Sequence, residues 1–231
     1  MNVGLYRTVA AMRTNQQRIE VISSNLANVE TTGFKRMLHV AHGAEDWGKD
    51  VEHQQVVTGT RLDMNQGVLQ RTGEDLDLAL EGPGYFVVDG PTEELLTRQG
   101  EFQLSQDGQL VDRDSNPVQW VGARGVLQLN GGAIKVDNRG GVIQGGLPVG
   151  RLRLVNVLGT DPVEPNDVGG YRVRPGAEVV ESDAIVTQGF IERANVQAVD
   201  ELVELIAAQR AFDSAAQAFR TIDQSYRRLH Q

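Results

Sequence analysis

The sequence contains no cysteine. Thiolate nucleophiles, zinc ribbons, iron–sulfur clusters and disulfides are therefore excluded. Aromatic residues are scarce, with six Phe, four Tyr and two Trp in 231 residues. No apolar run approaches the roughly 20 residues needed to span a bilayer. A secretory h-region is also missing. The first 25 residues are interrupted by Arg7, Arg13, Asn15, Gln16, Gln17, Arg18 and Glu20. The expectation is a chain that stays in the cytoplasm or leaves it by a route that cleaves nothing. Net positive charge is lacking too. A formal charge of −9 argues against nucleic acid, which needs a basic footprint. Glycine, by contrast, is plentiful at 26 residues and implies many tight turns over modest cores.

What is present falls into three zones, 1–36, 37–190 and 191–231. In the first, Leu5, Met12, Ile19 and Leu26 recur at heptad spacing, with Val9 between the first two. Thr31-Thr32-Gly33 should end that helix near Asn28. In the last, Leu205, Phe212, Phe219 and Tyr226 repeat the same period. Leu202, Gln209, Ala216 and Asp223 are read as the alternate heptad positions, with Val199, Ile206 and Ile222 widening the stripe. With neither Pro nor Gly from 196 to 229, a continuous helix of about nine turns is predicted. The middle zone reads as short strands. Glu101–Leu104 and Gln109–Val111 flank Gln106-Asp107-Gly108, and Val126–Leu129 and Ile134–Val136 flank Asn130-Gly131-Gly132, giving two hairpin signals. Arg151–Leu158 and Tyr171–Arg174 alternate, and Glu81-Gly82-Pro83-Gly84 separates two apolar runs. The fold class is therefore α+β. Terminal helices pair as a coiled-coil stalk around an inserted, mainly antiparallel β domain, expected as a sandwich or open barrel.

The search for chemistry yields no catalytic residue. His39 and His42 stand at i, i+3, a spacing that puts two ligands on one face of a helix, but no HExxH or third ligand accompanies them. His53 and His230 add no ligand spacing. Gly82-Pro83-Gly84 lacks a full phosphate-loop pattern and precedes a strand-like run. Paired carboxylates such as Asp75/Asp77 and Glu93/Glu94 are expected by chance among 31 acidic residues. No cofactor, metal or small-molecule substrate is called for. Glu201, Glu204 and Arg210 flank the apolar seam of the last helix as register-setting or merely solvated charges.

The run from Ile22 through Ser23, Ser24, Asn25, Leu26, Ala27, Asn28, Val29, Glu30, Thr31, Thr32, Gly33 and Phe34 to Lys35 resembles the N-terminal signature of the flagellar basal-body rod and hook family. Asp63–Gly67, Thr72-Gly73, Leu76–Gly82, Gly84–Val88 and Thr97–Phe102 with Asp107-Gly108 are similar to that family's next conserved-looking stretches. Asn195-Val196 and Gln209-Arg210-Ala211-Phe212 resemble its C-terminal helix. The likeness spans about three-quarters of the chain. It departs at Ala194, where the family usually has Ser, and at Ser214–Gln217, which lacks the usual Asn and Lys.

The resemblance implies a non-enzymatic structural subunit of the flagellar rod, exported by the flagellar type III apparatus without a cleaved signal. It implies polymerisation through the terminal helices into a hollow periplasmic shaft needed for motility. Partners would be copies of itself, other rod subunits and the export apparatus, with neither nucleic acid nor membrane insertion. Chain length suits the proximal rod protein, while the Asn-Val-Glu-Thr-Thr-Gly-Phe-Lys wording is also at home in the distal one. The assembly residues so marked are Leu5, Met12, Ile19, Asn25, Leu26, Asn28, Gly33, Phe34, Leu202, Leu205, Gln209, Arg210, Phe212, Phe219 and Tyr226. Two readings from other classes stand beside it. One is a carbohydrate-binding or cell-wall β module, for which aromatics are few. The other is a cytoplasmic adaptor using the same helices.

Overall fold

The computed structural model describes residues 3–43, 56–122, 125–166 and 169–229. Helix α1 spans Val3–Ala27 and α2 spans Ala198–Leu229. Between them run β1 (Met37–Gly43), β2 (Val56–Leu62), β3 (Leu69–Arg71), β4 (Leu78–Glu81), β5 (Tyr85–Asp89), β6 (Glu94–Thr97), β7 (Gln103–Leu104), β8 (Leu110–Val111) and β9 (Ile134–Val136). There follow β10 (Gly141–Gln144), β11 (Leu147–Arg151), β12 (Leu154–Leu158), β13 (Val163–Pro165), β14 (Tyr171–Val173), β15 (Glu178–Glu181), β16 (Ile185–Gln188) and β17 (Phe190–Glu192). Every strand pairing among the described residues is antiparallel. The α+β class is thus present in the chain.

Two compact units emerge from the contacts. The first comprises Met1–Val29, Arg36–Asp63 and Val196–Gln231, the second Glu30–Lys35 and Met64–Asn195. The first holds both helices and the β1–β2 hairpin. In α2, Asp200 and Glu201 lie in the first turn and Arg227 and Arg228 in the last. Both pairs oppose the partial charges of the helix ends, which favours the helix. Helix α1 has no such charges in its end turns. Its last turn is closed instead by the Asn28 side-chain amide, which donates to Ser24 O at 2.9 Å. A helix without terminal charges depends on packing, and α1 packs on both α2 and β1.

The second unit is built on a six-stranded sheet ordered β13-β14-β6-β5-β12-β15, with smaller two- and three-stranded sheets beside it. Leu78, Ala79 and Leu80 of β4 and Tyr85 to Val88 of β5 are all buried, so both faces of these strands are covered. Phe86 and Phe102 meet edge to face at 5.1 Å, and Leu95, Leu110, Val118, Leu127, Leu152 and Val186 complete the core.

The hairpin expected across Gln106-Asp107-Gly108 forms, with β7 paired to β8. The one expected across Asn130-Gly131-Gly132 does not. Residues 126–129 are not a strand, and β9 pairs with β10 instead. Leu127 is drawn into the core, and its N–H donates to Gly108 O at 2.7 Å, so its segment is already engaged. His39 and His42 lie on β1, where the one-face helical spacing does not apply. His53 and His230 lie outside the described residues.

Phe86 is fully buried. Phe86→Ala should therefore cost about 3–5 kcal/mol. Equilibrium urea unfolding measures this, and a loss under about 1 kcal/mol would contradict the placement of the core.

Candidate functional site

The two helices lie side by side in opposite directions, because Asn25 meets Glu201 while Arg18 meets Glu204. On α2 the buried or half-buried positions are Ala198, Glu201, Glu204, Leu205, Ala208, Phe212, Ala215, Ala216, Phe219, Ile222 and Asp223, and within them Glu201, Leu205, Ala208, Phe212, Ala215, Phe219 and Ile222 alternate spacings of four and three. Ala208 is wholly buried on this face. Leu205, Phe212 and Phe219 thus lie on the seam. Of the alternate positions expected, Ala216 and Asp223 are half-buried alongside Ala215 and Ile222, whereas in place of Leu202 and Gln209 the buried residues are Glu201 and Ala208, one residue earlier. Leu202 is 45% exposed, and Gln209 and Arg210 are exposed. Tyr226 keeps the period but is 40% exposed. On α1, Leu5, Met12, Ile19 and Leu26 are half-buried, and Ile22 is the buried apolar residue.

The shift to Glu201 has an electrostatic cause. A carboxylate on an apolar seam is costly unless it is bonded and paired. Arg36 donates to Glu201 from Nε and to Glu204 from a terminal nitrogen at 3.3 Å. Arg18 reaches Glu204 at 3.4 Å. The Asn25 amide donates to Glu201 at 3.2 Å and to Met37 O at 2.9 Å, and its Oδ1 accepts from Met37 N–H at 2.8 Å. Asn25 and Glu201 are each 1% exposed. Burial works against the charge of Arg36, but the bonds and charges of Glu201 and then Glu204 outweigh it and raise its pKa. One signature asparagine thereby ties α1 to β1 and to α2.

The rest of the signature closes the second unit. Gly33 has φ +67°, the left-handed conformation its turn context predicts. A Cβ there would lie 2.3 Å from the Arg98 carbonyl carbon, so a larger residue meets backbone as well as strain. Gly33 N–H donates to Glu192 O at 2.7 Å, and Asn195 N–H to Phe34 O at 3.4 Å. Tyr171 OH donates to Gly33 O at 3.2 Å and accepts from Lys35 N–H at 2.9 Å. Burial pushes the Tyr171 hydroxyl well above the usual phenol range.

The Lys35 side chain, 1% exposed, donates to Glu192 at 2.7 Å and to Asn65 O at 2.8 Å. Arg98 donates to the other Glu192 oxygen at 3.0 Å and to Gly82 O at 2.6 Å. Gly67 N–H adds a third donor to the carboxylate at 2.9 Å. The Arg98 guanidinium also lies 5.5 Å from the Tyr85 ring centroid, and burial raises the Tyr85 hydroxyl to about 12. Two cations meet one carboxylate, all three groups are buried, and the arrangement holds structure. Among the described residues no group of three His, Asp or Glu could hold a metal ion. No described helix is long and apolar enough to cross a membrane.

Three family profiles match the chain. They are Flagella basal body rod protein at residues 5–35, Flagellar hook protein FlgE/F/G D1 domain at 79–145, and Flagellar basal body rod FlgEFG protein C-terminal at 187–231. The chain is 33% identical to the flagellar basal-body rod protein FlgF of Rhizobium meliloti, over 95% of this chain and 93% of that one. The chain belongs to the flagellar basal-body rod protein family. It is 32% identical to FlgF of Caulobacter vibrioides, over 94% and 91% of the two chains. It is 30% identical to the rod protein FlgG of Buchnera aphidicola, over 98% of both. As a member of this family it is a structural subunit of the flagellar rod, resident in the basal body and serving motility.

Of the signature residues, Asn25 and Gly33 sit in these polar clusters, Asn28 caps α1, and Phe34 is half-buried beside Lys35. Glu192, Arg98, Tyr171, Arg36 and Ile22 were not singled out as site residues. No local pattern marks Glu192, and although Arg98 lies in the Thr97–Phe102 stretch, nothing local pairs the two, since Glu192 meets Arg98 across 94 residues and Lys35 across 157. Glu192→Leu leaves both buried cations without their anion, and should cost roughly 3–5 kcal/mol in urea unfolding. Stability within about 1 kcal/mol of the parent would refute the closing role of this carboxylate. Gly33→Val should unfold the loop and impair incorporation into basal bodies; unchanged swimming in soft agar would remove that idea.

Proposed function

We propose that this rod subunit polymerises through its terminal helices, which pair as a coiled-coil stalk and form the inner layer of a hollow shaft in the periplasm. The observation that supports it is the alternating four–three seam of α2, set antiparallel to α1. That spacing is the knobs-into-holes pattern of supercoiled helices. In this reading Leu5, Met12, Ile19, Leu26, Leu205, Phe212 and Phe219 hold the helices of one chain together. Asn25 fixes their register, with Asn28, Gly33 and Phe34 setting the turn that follows. Leu202, Gln209, Arg210 and Tyr226, exposed in the single chain, face neighbouring subunits. The zones 1–36 and 191–231 serve as the polymerising part and 37–190 as the part they carry, although β1 and β2 cluster with the helices.

Its partners are copies of itself, other rod subunits and, before assembly, the flagellar type III export apparatus. Chain length supports a place in the proximal rod, with the distal rod as the alternative. A charge on the seam, left without partners, costs several kcal/mol. Phe212→Asp should therefore abolish incorporation into purified basal bodies and stop swimming. The second unit contains no residue of α2, so its urea transition should stay unchanged. A normal rod carrying Phe212→Asp would overturn the reading.

A further inference from the structure

Two features of the helical unit are unused by the pairing just described. The first is a stripe on α2. Val199, Leu202, Val203 and Ile206 are 72%, 45%, 62% and 52% exposed. At 3.6 residues per turn they lie roughly 140° around the helix from the seam. The second is a groove beside α1. Two cavities of about 340 and 300 Å³ adjoin there, sharing Gln17 and Thr58. Tyr6, Val9 and Arg13 line the first; Val21 and His39 line the second. His39 Nε2 is buried there without a hydrogen-bond partner.

We propose that this groove receives the exposed α2 stripe of a second copy of the chain. The groove positions lie roughly 140° around α1 from the stripe Leu5, Met12, Ile19 and Leu26. Groove and stripe therefore point away from the pairing within a chain, and one molecule cannot bring its own two surfaces together. Charge fits the match at the first cavity, which Arg13 lines, while Glu20 lines the second. Before Glu20, α1 carries Arg7, Arg13 and Arg18 and no acid; before Arg210, α2 carries Asp200, Glu201 and Glu204 and no base. Arg18, Glu201 and Glu204 are engaged in ion pairs, while Arg7 and Arg13 are exposed on α1 and Asp200 is exposed on α2. Exposed apolar residues so grouped mark an interaction site. The two surfaces differ, so the contact is head to tail, and repeating it extends a chain of subunits without closing it by symmetry. The inference rests on the polymer reading above and names the surfaces that reading needs.

The absence of cysteine makes the test clean, because introduced thiols are the sole ones. The full chain carrying both Val9→Cys and Val203→Cys is concentrated and oxidised, then resolved on a non-reducing gel, while polymer is scored separately by electron microscopy. Both residues are exposed, so folding should be kept. The expected result is a ladder of multimers from the double variant, and nothing beyond a dimer from either single variant. A second test needs no thiol. Arg13→Glu should lower polymer yield roughly fivefold, and adding Asp200→Arg should restore it. Polymers without a ladder overturn the inference and leave the polymer reading standing. A failure of the unmodified chain to polymerise overturns both. In cells, cross-linking of either thiol to a different basal-body protein alone overturns the assignment to a second copy.

Discussion

The Glu192 carboxylate is the interaction on which the second unit depends. It takes a donor from Lys35, one from Arg98 and one from Gly67, and less than a tenth of each charged group meets water. Three segments far apart in the chain, around residues 33–35, 67 and 98, are thereby held at the end of β17. The cost of burying three charges is offset only while all of them are present, which makes the joint intolerant of any single loss. Gly33 supplies the remaining condition, since only a residue without Cβ lets the loop lie against the Arg98 backbone.

The helical unit repeats the device with different parts. Glu201 sits on the seam of α2, and Arg36 and Asn25 answer it from the other end of the sequence. Apolar packing along Leu205, Phe212 and Phe219 tolerates a shift by one heptad; a buried carboxylate with assigned donors does not. In both units an acid late in the chain fixes a segment early in it. Asn25 and Lys35, ten residues apart in the family signature, thus serve in separate units.

Helices and strands were legible where their cause is local. The period of seven in Leu205, Phe212 and Phe219 located the seam, and the helix stop near Asn28 came from the turn residues that follow. Gln106-Asp107-Gly108 marked a hairpin because the turn chemistry is contained in it. Of the alternate seam positions, Leu202 was misplaced because it is more apolar than Glu201, and only the position of Arg36 in space reverses that preference. The Asn130-Gly131-Gly132 turn carried the same local signal as the first, but Leu127 is claimed by the core, and tertiary packing wins over propensity. Glu192 and Arg98 were illegible for a simpler reason: nothing within a few residues of either shows that it will be buried beside the other. Asn25 and Gly33 entered through resemblance, and the geometry around them supplies a reason for their residue type.

The separation of Lys35 from Glu192 by 157 residues also has a consequence in time. Bringing distant segments together requires the loop between them to lose entropy before any bond rewards it. Contacts of such span are the slow ones to form. The β1–β2 hairpin and the isolated helices can appear early, because their partners are near in sequence. The joint at Glu192 is available only when almost the whole chain is present, so the N-terminal signature must wait, unsatisfied, for the last strand to arrive.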